Sequence, residues 1–273
     1  MKILITGGAG YIGSHTAVQA ITAGHEVVIL DNLVNSSRVA IDRVEELTGT
    51  EIKFIEGDVR DPDLLDQLFS RYSIEVVIHF AGLKAVGESH LEPIEYYDSN
   101  VNGTLQLVKS MAKHGINKLI FSSSATVYGE EASVPYVETQ KRGTTSSPYG
   151  ASKAIVERIL EDLAQADPIW SVVLLRYFNP IGAHPSGRIG EDPTGIPNNL
   201  MPFIAQVAVG KRAKLSIYGN DYPTKDGTCE RDYLHVMDLA DGHICALEKT
   251  KEGGCQVFNL GTGEPVSVSE MVA

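Results

Sequence analysis

Cysteine is scarce in this sequence, and its three copies at 229, 245 and 255 are odd in number and lack C-x-x-C spacing. That argues against a disulfide framework or a zinc site and suits reduced thiols of a cytoplasmic protein. Basic charge is also short: 23 Lys and Arg face 35 Asp and Glu, a net charge of −12. A nucleic-acid binder is therefore not expected, and an anionic ligand has to be held by helix ends and individual cations. Apolar runs long enough to cross a bilayer are missing, so no membrane partner is expected. With the first strand starting at residue 2, no signal peptide is expected either. Short repeats, low-complexity tracts and obvious linkers are also lacking. What is present, 273 residues with 43% hydrophobic and 21% charged content, suits one large α/β domain or one with a smaller partner.

The organising stretch is the beginning, Lys2-Ile3-Leu4-Ile5-Thr6-Gly7-Gly8-Ala9-Gly10-Tyr11-Ile12-Gly13-Ser14-His15. Ile3 to Ile5 read as a buried parallel strand. Gly7, Gly10 and Gly13 permit a tight turn, a close backbone approach to a ligand, and close packing of the next helix. That helix, starting near Tyr11, aims free N–H groups at a site fit for a pyrophosphate. The spacing is G-x-x-G-x-x-G, a variant of the usual dinucleotide fingerprint and weak by itself. Its place between a strand and a helix gives it weight.

Along the chain, a helix is expected from Tyr11 to Ala23, stopped by Gly24. A second strand ends at Asp31, whose carboxylate suits ribose hydroxyls and repels a 2′-phosphate; it could also be a plain turn Asp. Asn32, Asn35 and Ser36 continue a polar loop beside it. The third strand, 52–56, leads to Asp58, a partner for an adenine amino group or a turn-stabilising residue. Asp61 reads as an N-cap with Pro62 at N1. The fourth strand, 76–80, runs into Ala81-Gly82-Leu83-Lys84, where Lys84 could meet a phosphate or stand in solvent. One long helix is expected from Pro93 through Asn100 to His114, then a strand to Phe121, a Ser-rich end at Ser122 to Ser124, a helix from 148 to 166, and a strand from 171 to 176. These alternations predict an α/β fold with a doubly wound parallel sheet. Residues 177–235 change to Pro- and Gly-rich loops. The expected division is a cofactor domain of 1–176 and 236–262, with a substrate domain of 177–235 and 263–273. Ser267-Val268-Ser269-Glu270 is a capping box three residues from the last, Ala273. The sequence is therefore expected to be a piece of a longer protein, its substrate domain incomplete.

Tyr149 and Lys153 stand i and i+4, on one face of a helix. An ammonium near a phenol favours the phenolate, which makes Tyr149 a candidate proton acceptor for a sugar hydroxyl. Ser124, at the end of the fifth strand, is placed to hydrogen-bond the same hydroxyl. With the glycine turn and Asp31, chance is a poor explanation of the three.

The chain resembles the extended short-chain dehydrogenases/reductases, and within them the bacterial UDP-glucose 4-epimerases. The residues that carry the likeness are 6–15, His79 to Ser89, Phe121 to Gly129, Ser147 to Gly150, Leu175 to Pro180, Gly195 to Pro202 and Arg231-Asp232-Tyr233. The resemblance implies a Rossmann-type NAD domain and reversible 4-epimerisation of UDP-glucose and UDP-galactose through a 4-keto sugar. It implies that Gly7, Gly10, Tyr11, Ile12, Gly13, Asp31, Asn32, Leu33, Val34, Asn35, Ser36, Asp58, Val59, Phe80, Ala81, Gly82, Leu83, Lys84, Ser99 and Phe178 hold NAD. Tyr149 would be the base with Ser124 and Lys153 as helpers, all three also touching the cofactor. Asn179, Asn199, Leu200, Tyr218 and Arg231 would bind the UDP-sugar. At Ser99 the family carries Asn. The family's further diphosphate Arg, and its residue deciding on N-acetylated sugars, lie beyond residue 273. The usual homodimer would pack helices near 93–114 and 148–166. Two alternatives are a 4,6-dehydratase, which needs an acid where Ala125-Thr126 stands, and a non-catalytic NAD-binding module.

Overall fold

The strands form where short β-branched runs are bounded by glycine or polar turns, and most helices start at a residue suited to capping. In the computed structural model, which describes residues 1–193, 197 and 199–273, the first half runs β1 (Lys2–Thr6), α1 (Tyr11–Thr22), β2 (Glu26–Asp31), α2 (Arg38–Thr48), β3 (Lys53–Glu56), α3 (Pro62–Arg71) and β4 (Val76–His79). Next come α4 (Val86–Leu91), α5 (Pro93–Tyr97), α6 (Gly103–Lys113), β5 (Lys118–Ser124), α7 (Pro148–Ala166) and β6 (Ser171–Tyr177). The remainder is β7 (Asn179–Ile181), α8 (Leu200–Ala208), β8 (Glu230–His235), α9 (Val236–Lys249), β9 (Gly254–Leu260), β10 (Pro265–Ser267) and α10 (Val268–Val272).

Seven strands make one parallel sheet in the order β3-β2-β1-β4-β5-β6-β9. The order reverses between β1 and β4, and the crevice at the carboxyl ends of such strands is where ligands bind. Alternate residues feed two apolar layers. Ile3 and Ile5 of β1 join Ala17 and Leu239 on one face, while Leu4 joins Leu65, Leu107 and Leu160 on the other. Burying each such aliphatic side chain contributes roughly 1.5–3 kcal/mol. A second, three-stranded sheet is ordered β10-β8-β7. Among the described residues, no helix is long and apolar enough to cross a membrane.

Local signals formed as expected. Asp61 accepts from Asp63 N and Leu64 N, and the Ser267–Glu270 capping box closes in both directions; Ser147, accepting from Gly150 N, is a further cap at the start of α7. Two features differ from the sequence expectation. The helix from Pro93 is interrupted by a π-helical turn at Asp98–Asn102, and α4 precedes it as a separate element.

Candidate active site

The glycine turn is built by contacts no side chain would tolerate. Gly7 has φ +71°, and a Cβ on it would lie 2.6 Å from Ala81 N. A Cβ on Gly13 would lie 2.3 Å from Gly7 O. The α1 helix therefore sits directly on the turn, and its N-cap is Gly10 with no side-chain cap. The first-turn N–H groups are left facing the cleft, the arrangement that binds phosphates.

Asp31, 8% exposed at the end of β2, ties its own loop to that turn. Oδ2 accepts from Ala9 N at 2.9 Å, and Oδ1 accepts from Leu33 N at 2.9 Å and Ser36 Oγ at 2.8 Å. Leu33 takes the left-handed region at φ +58°, and its side chain packs against the apolar layer. That packing keeps it out of the cleft lining. Asp58 is engaged by Arg60, which donates Nη2 at 2.8 Å and Nε at 3.0 Å, and by Asn32 Nδ2 at 3.0 Å. The Arg60 bonds hold its carboxyl at about 2. Arg60 reaches on to Glu95 and Asp98, both at 2.8 Å. Lys84 is ion-paired with Glu191 at 3.3 Å.

These residues surround a cleft of about 1690 Å³ running from the glycine turn to the small sheet. Of the expected cofactor residues, all but Leu33 line it; of the expected sugar-nucleotide residues, Asn179, Asn199 and Arg231 do. Leu200 opens α8 outside the lining, and Tyr218 is 86% exposed and also outside it. Both expectations rested on likeness along the sequence, and position relative to the cleft is a tertiary property. Gly195, Ile196 and Asn198 of the quoted motif lie outside the described residues.

Ser124 ends β5 and caps the next turn, its Oγ accepting from Thr126 N at 3.3 Å and Thr126 Oγ1 at 3.0 Å. It also lies close enough to the Tyr149 phenol to act on its proton. Tyr149 enters at the start of α7, half-buried against the cleft. Lys153 is buried, donates Nζ to Ser122 O at 2.8 Å, and lies 4.8 Å from the centre of the Phe121 ring. The expected lowering of the Tyr149 phenol by Lys153 is not what this arrangement produces. Burial raises the phenol, and Ser124 pulls the other way. Burial also draws Lys153 down to about 8, since both charged forms lose water. The cationic charge that would favour a phenolate therefore has to come partly from a ligand.

Asn100 was seen in the sequence only as a helical position. It is 3% exposed, accepts from Leu83 N at 2.7 Å, and donates to Leu83 O at 3.0 Å and Ser152 Oγ at 2.9 Å. It thereby fixes the Phe80–Lys84 cleft wall to α7. A polar amide on the buried side of an amphipathic helix was the available signal. Tyr136 also lines the cleft, stacked between Tyr128 and Phe178 at 4.6 and 6.1 Å; it lies in a loop whose sequence carries no periodicity.

A family model described as the NAD dependent epimerase/dehydratase family matches residues 3–261. The UDP-glucose 4-epimerase of Bacillus subtilis (strain 168) is 59% identical over 273 residues, covering 100% of this chain and 80% of that protein. The UDP-glucose 4-epimerase of Bifidobacterium longum, solved in complex with NAD+ and UDP, superposes with a TM-score of 0.96 at 53% identity, over 99% of this chain and 81% of that one. The UDP-Glc/GlcNAc 4-epimerase of Campylobacter jejuni superposes at 0.86 with 41% identity, over 99% and 81%. Likeness that runs unbroken through sheet, cleft and small sheet is shared descent, and the chain belongs to the NAD dependent epimerase/dehydratase family.

Proposed function

We propose that the chain interconverts UDP-glucose and UDP-galactose by inversion at C4 of the sugar, with NAD as its resident cofactor. The observation that carries this reading is the meeting of Tyr149, Ser124 and Lys153 in one cleft with the glycine turn and Asp31. It is supported by relatives named UDP-glucose 4-epimerase at 58–59% identity. The cradle fits the cofactor: Gly7 and Gly13 leave no room for a Cβ, the α1 N-terminus offers N–H groups to a pyrophosphate, and Asp31 stands where a ribose would lie. Val59, Phe80 to Lys84, Ser99 and Phe178 complete the wall. When bound, NAD supplies a hydride acceptor and donor next to the sugar's C4.

The chain's own residues handle the proton. Tyr149 accepts it from the 4-hydroxyl as the C4 hydrogen would leave as hydride, giving a 4-keto sugar, and returns it to the 4-oxygen once the sugar has turned its other face to the hydride donor. Ser124 holds the same hydroxyl, and the charge of Lys153 together with a cationic ligand would favour the phenolate form. Asn179, Asn199 and Arg231 bind the sugar nucleotide. Since Tyr149 must lose its proton to act and burial opposes that, turnover should rise with pH on the acid side. Dehydration is disfavoured because Ala125 and Thr126 offer no general acid where one is needed.

We extend the proposal to a cytoplasmic homodimer with the two-domain division given above. Ile94 and Tyr97 on α5 and Ile155 on α7 are large apolar side chains left exposed, and they lie on the helices expected to pair. The test is conversion of UDP-galactose, with NAD content measured on the same preparation. Tyr149→Phe should keep NAD and lose about 10²–10⁴-fold in turnover. Undiminished turnover in that variant removes Tyr149 from the chemistry and overturns the reading.

A further inference from the structure

One face of α7 carries Tyr149, Lys153 and Glu157 at four-residue spacing, the last two buried, and the proposed reaction uses only the first two. Each meets the end of β5. Tyr149 lies close to Ser124, Lys153 Nζ donates to Ser122 O, and Glu157 Oε1 accepts from Ser123 Oγ at 2.6 Å. Glu157 is 0% exposed. It also accepts two bonds from Arg176, Nε to Oε1 at 2.9 Å and Nη2 to Oε2 at 2.6 Å. Arg176 is the register partner of Ser123 across β5 and β6. One carboxylate therefore sits over one rung of the sheet and ties both strands to the helix bearing Tyr149 and Lys153. Arg142, from the segment leading into α7, joins it at 3.3 Å and continues to Glu161 at 2.7 Å.

As a stabilising device this is a poor choice, because apolar side chains of similar volume often do as well as a buried ion pair. Its electrostatic consequence is local. Lys153 faces Tyr149 and Glu157 from α7, His79 from β4, Phe121 and Ser122 from β5, and Tyr177 of β6 through its bond to Ser122. Among these groups Glu157 is the carboxylate, and it opposes the effect of burial on the lysine.

We propose that Glu157 is a positioning residue for the Tyr149–Lys153 pair, seating α7 on β5 and β6 and supplying the negative charge against which the buried ammonium is kept. This rests on Tyr149 and Lys153 performing the proton chemistry proposed above.

Glu157→Gln keeps the volume and removes the charge. In the NAD-loaded protein, kcat for UDP-galactose should fall about tenfold with KM nearly unchanged, and the alkaline limb of the kcat profile should move to lower pH. A second readout needs no turnover: the 13Cε resonance of Lys153 in lysine-labelled protein, identified by its loss in Lys153→Met. Its titration midpoint should fall in Glu157→Gln. Because this change strands Arg176 in the interior, Glu157→Met/Arg176→Met is made beside it. The apolar pair restores packing and should lower kcat and the midpoint in the same direction but by less, because the Arg176 charge leaves together with that of Glu157. A folded double variant with unmodified kcat and an unmoved Lys153 midpoint overturns the proposal. If the midpoint falls on substitution while the unmodified chain converts no sugar, Glu157's hold on Lys153 stands and the functional reading fails.

Discussion

Asp31 accepts three hydrogen bonds from its own chain, from Ala9 N, Leu33 N and Ser36 Oγ, while lining the cleft. Its charge and its acceptor geometry therefore act on different observables. Asp31→Ala removes the repulsion of a 2′-phosphate, so the preference for NAD over NADP should narrow. The same change frees the 32–36 loop, and hydrogen bonds to a charged group contribute about 1.5–3 kcal/mol each, so NAD itself should bind more weakly. Equilibrium titration of the unmodified chain and of Asp31→Ala with both cofactors separates the effects. Equal affinity of the unmodified chain for NAD and NADP would remove Asp31 as the discriminating group.

At the scale of elements, the site depends on how closely α1 sits on the turn before it. A Cβ at position 13 would meet Gly7 O at 2.3 Å and Gly8 Cα at 2.8 Å, both backbone atoms. Gly13→Ala should push α1 off the turn, lose bound NAD and cost about 1–3 kcal/mol of stability through overpacking. Gly24→Ala is the matched control. Its φ is +82° but a Cβ there meets nothing within 4 Å, so it should cost stability and leave NAD content alone. Retention of NAD by Gly13→Ala would show the cradle to be looser than these contacts allow. The π-helical turn at Asp98–Asn102 is a second device of this kind. It places Ser99 on the cleft and its neighbour Asn100 in the interior, and such turns recur at functional sites.

Across the described residues, three buried histidines, His15, His79 and His243, are lowered by burial and link stability to pH. His79 lies between Thr6 and Thr104, and burial, helped by the charge of Lys153, lowers it to about 3. His243 packs on Phe80 and Tyr177, and burial lowers it to about 4. A base whose folded value is depressed stays neutral in the native state while the unfolded chain takes up its proton below about 6.5. Stability should be full above that pH and fall as pH drops through it toward the folded values. Melting temperatures from pH 8 to 5 should show this decline, and His243→Leu should flatten part of it. The excess of acidic groups changes self-repulsion over the same range, but it is common to both proteins and cancels in the difference. An identical slope in the variant would exclude His243 as a contributor.

What the sequence determined by itself was whatever depends on residues within about four positions of one another. The parallel strands, the glycine turn after β1, the caps at Asp61 and Ser267, and the shared helical face of Tyr149 and Lys153 are of that kind, because capping and periodicity are short-range. From those alone the doubly wound sheet and the Ser124–Tyr149–Lys153 cluster were legible. Only the tertiary structure decided where the charges went. Arg60 spans from Asp58 to Glu95 and Asp98, Lys84 pairs with Glu191, and Lys153 turns to Ser122 O with Glu157 a turn beyond. It also decided that Leu33 faces the core and that Tyr218 stands away from the cleft. These outcomes join segments tens of residues apart, and burial, which sets the protonation of Tyr149 and Lys153, exists only once the layers have closed.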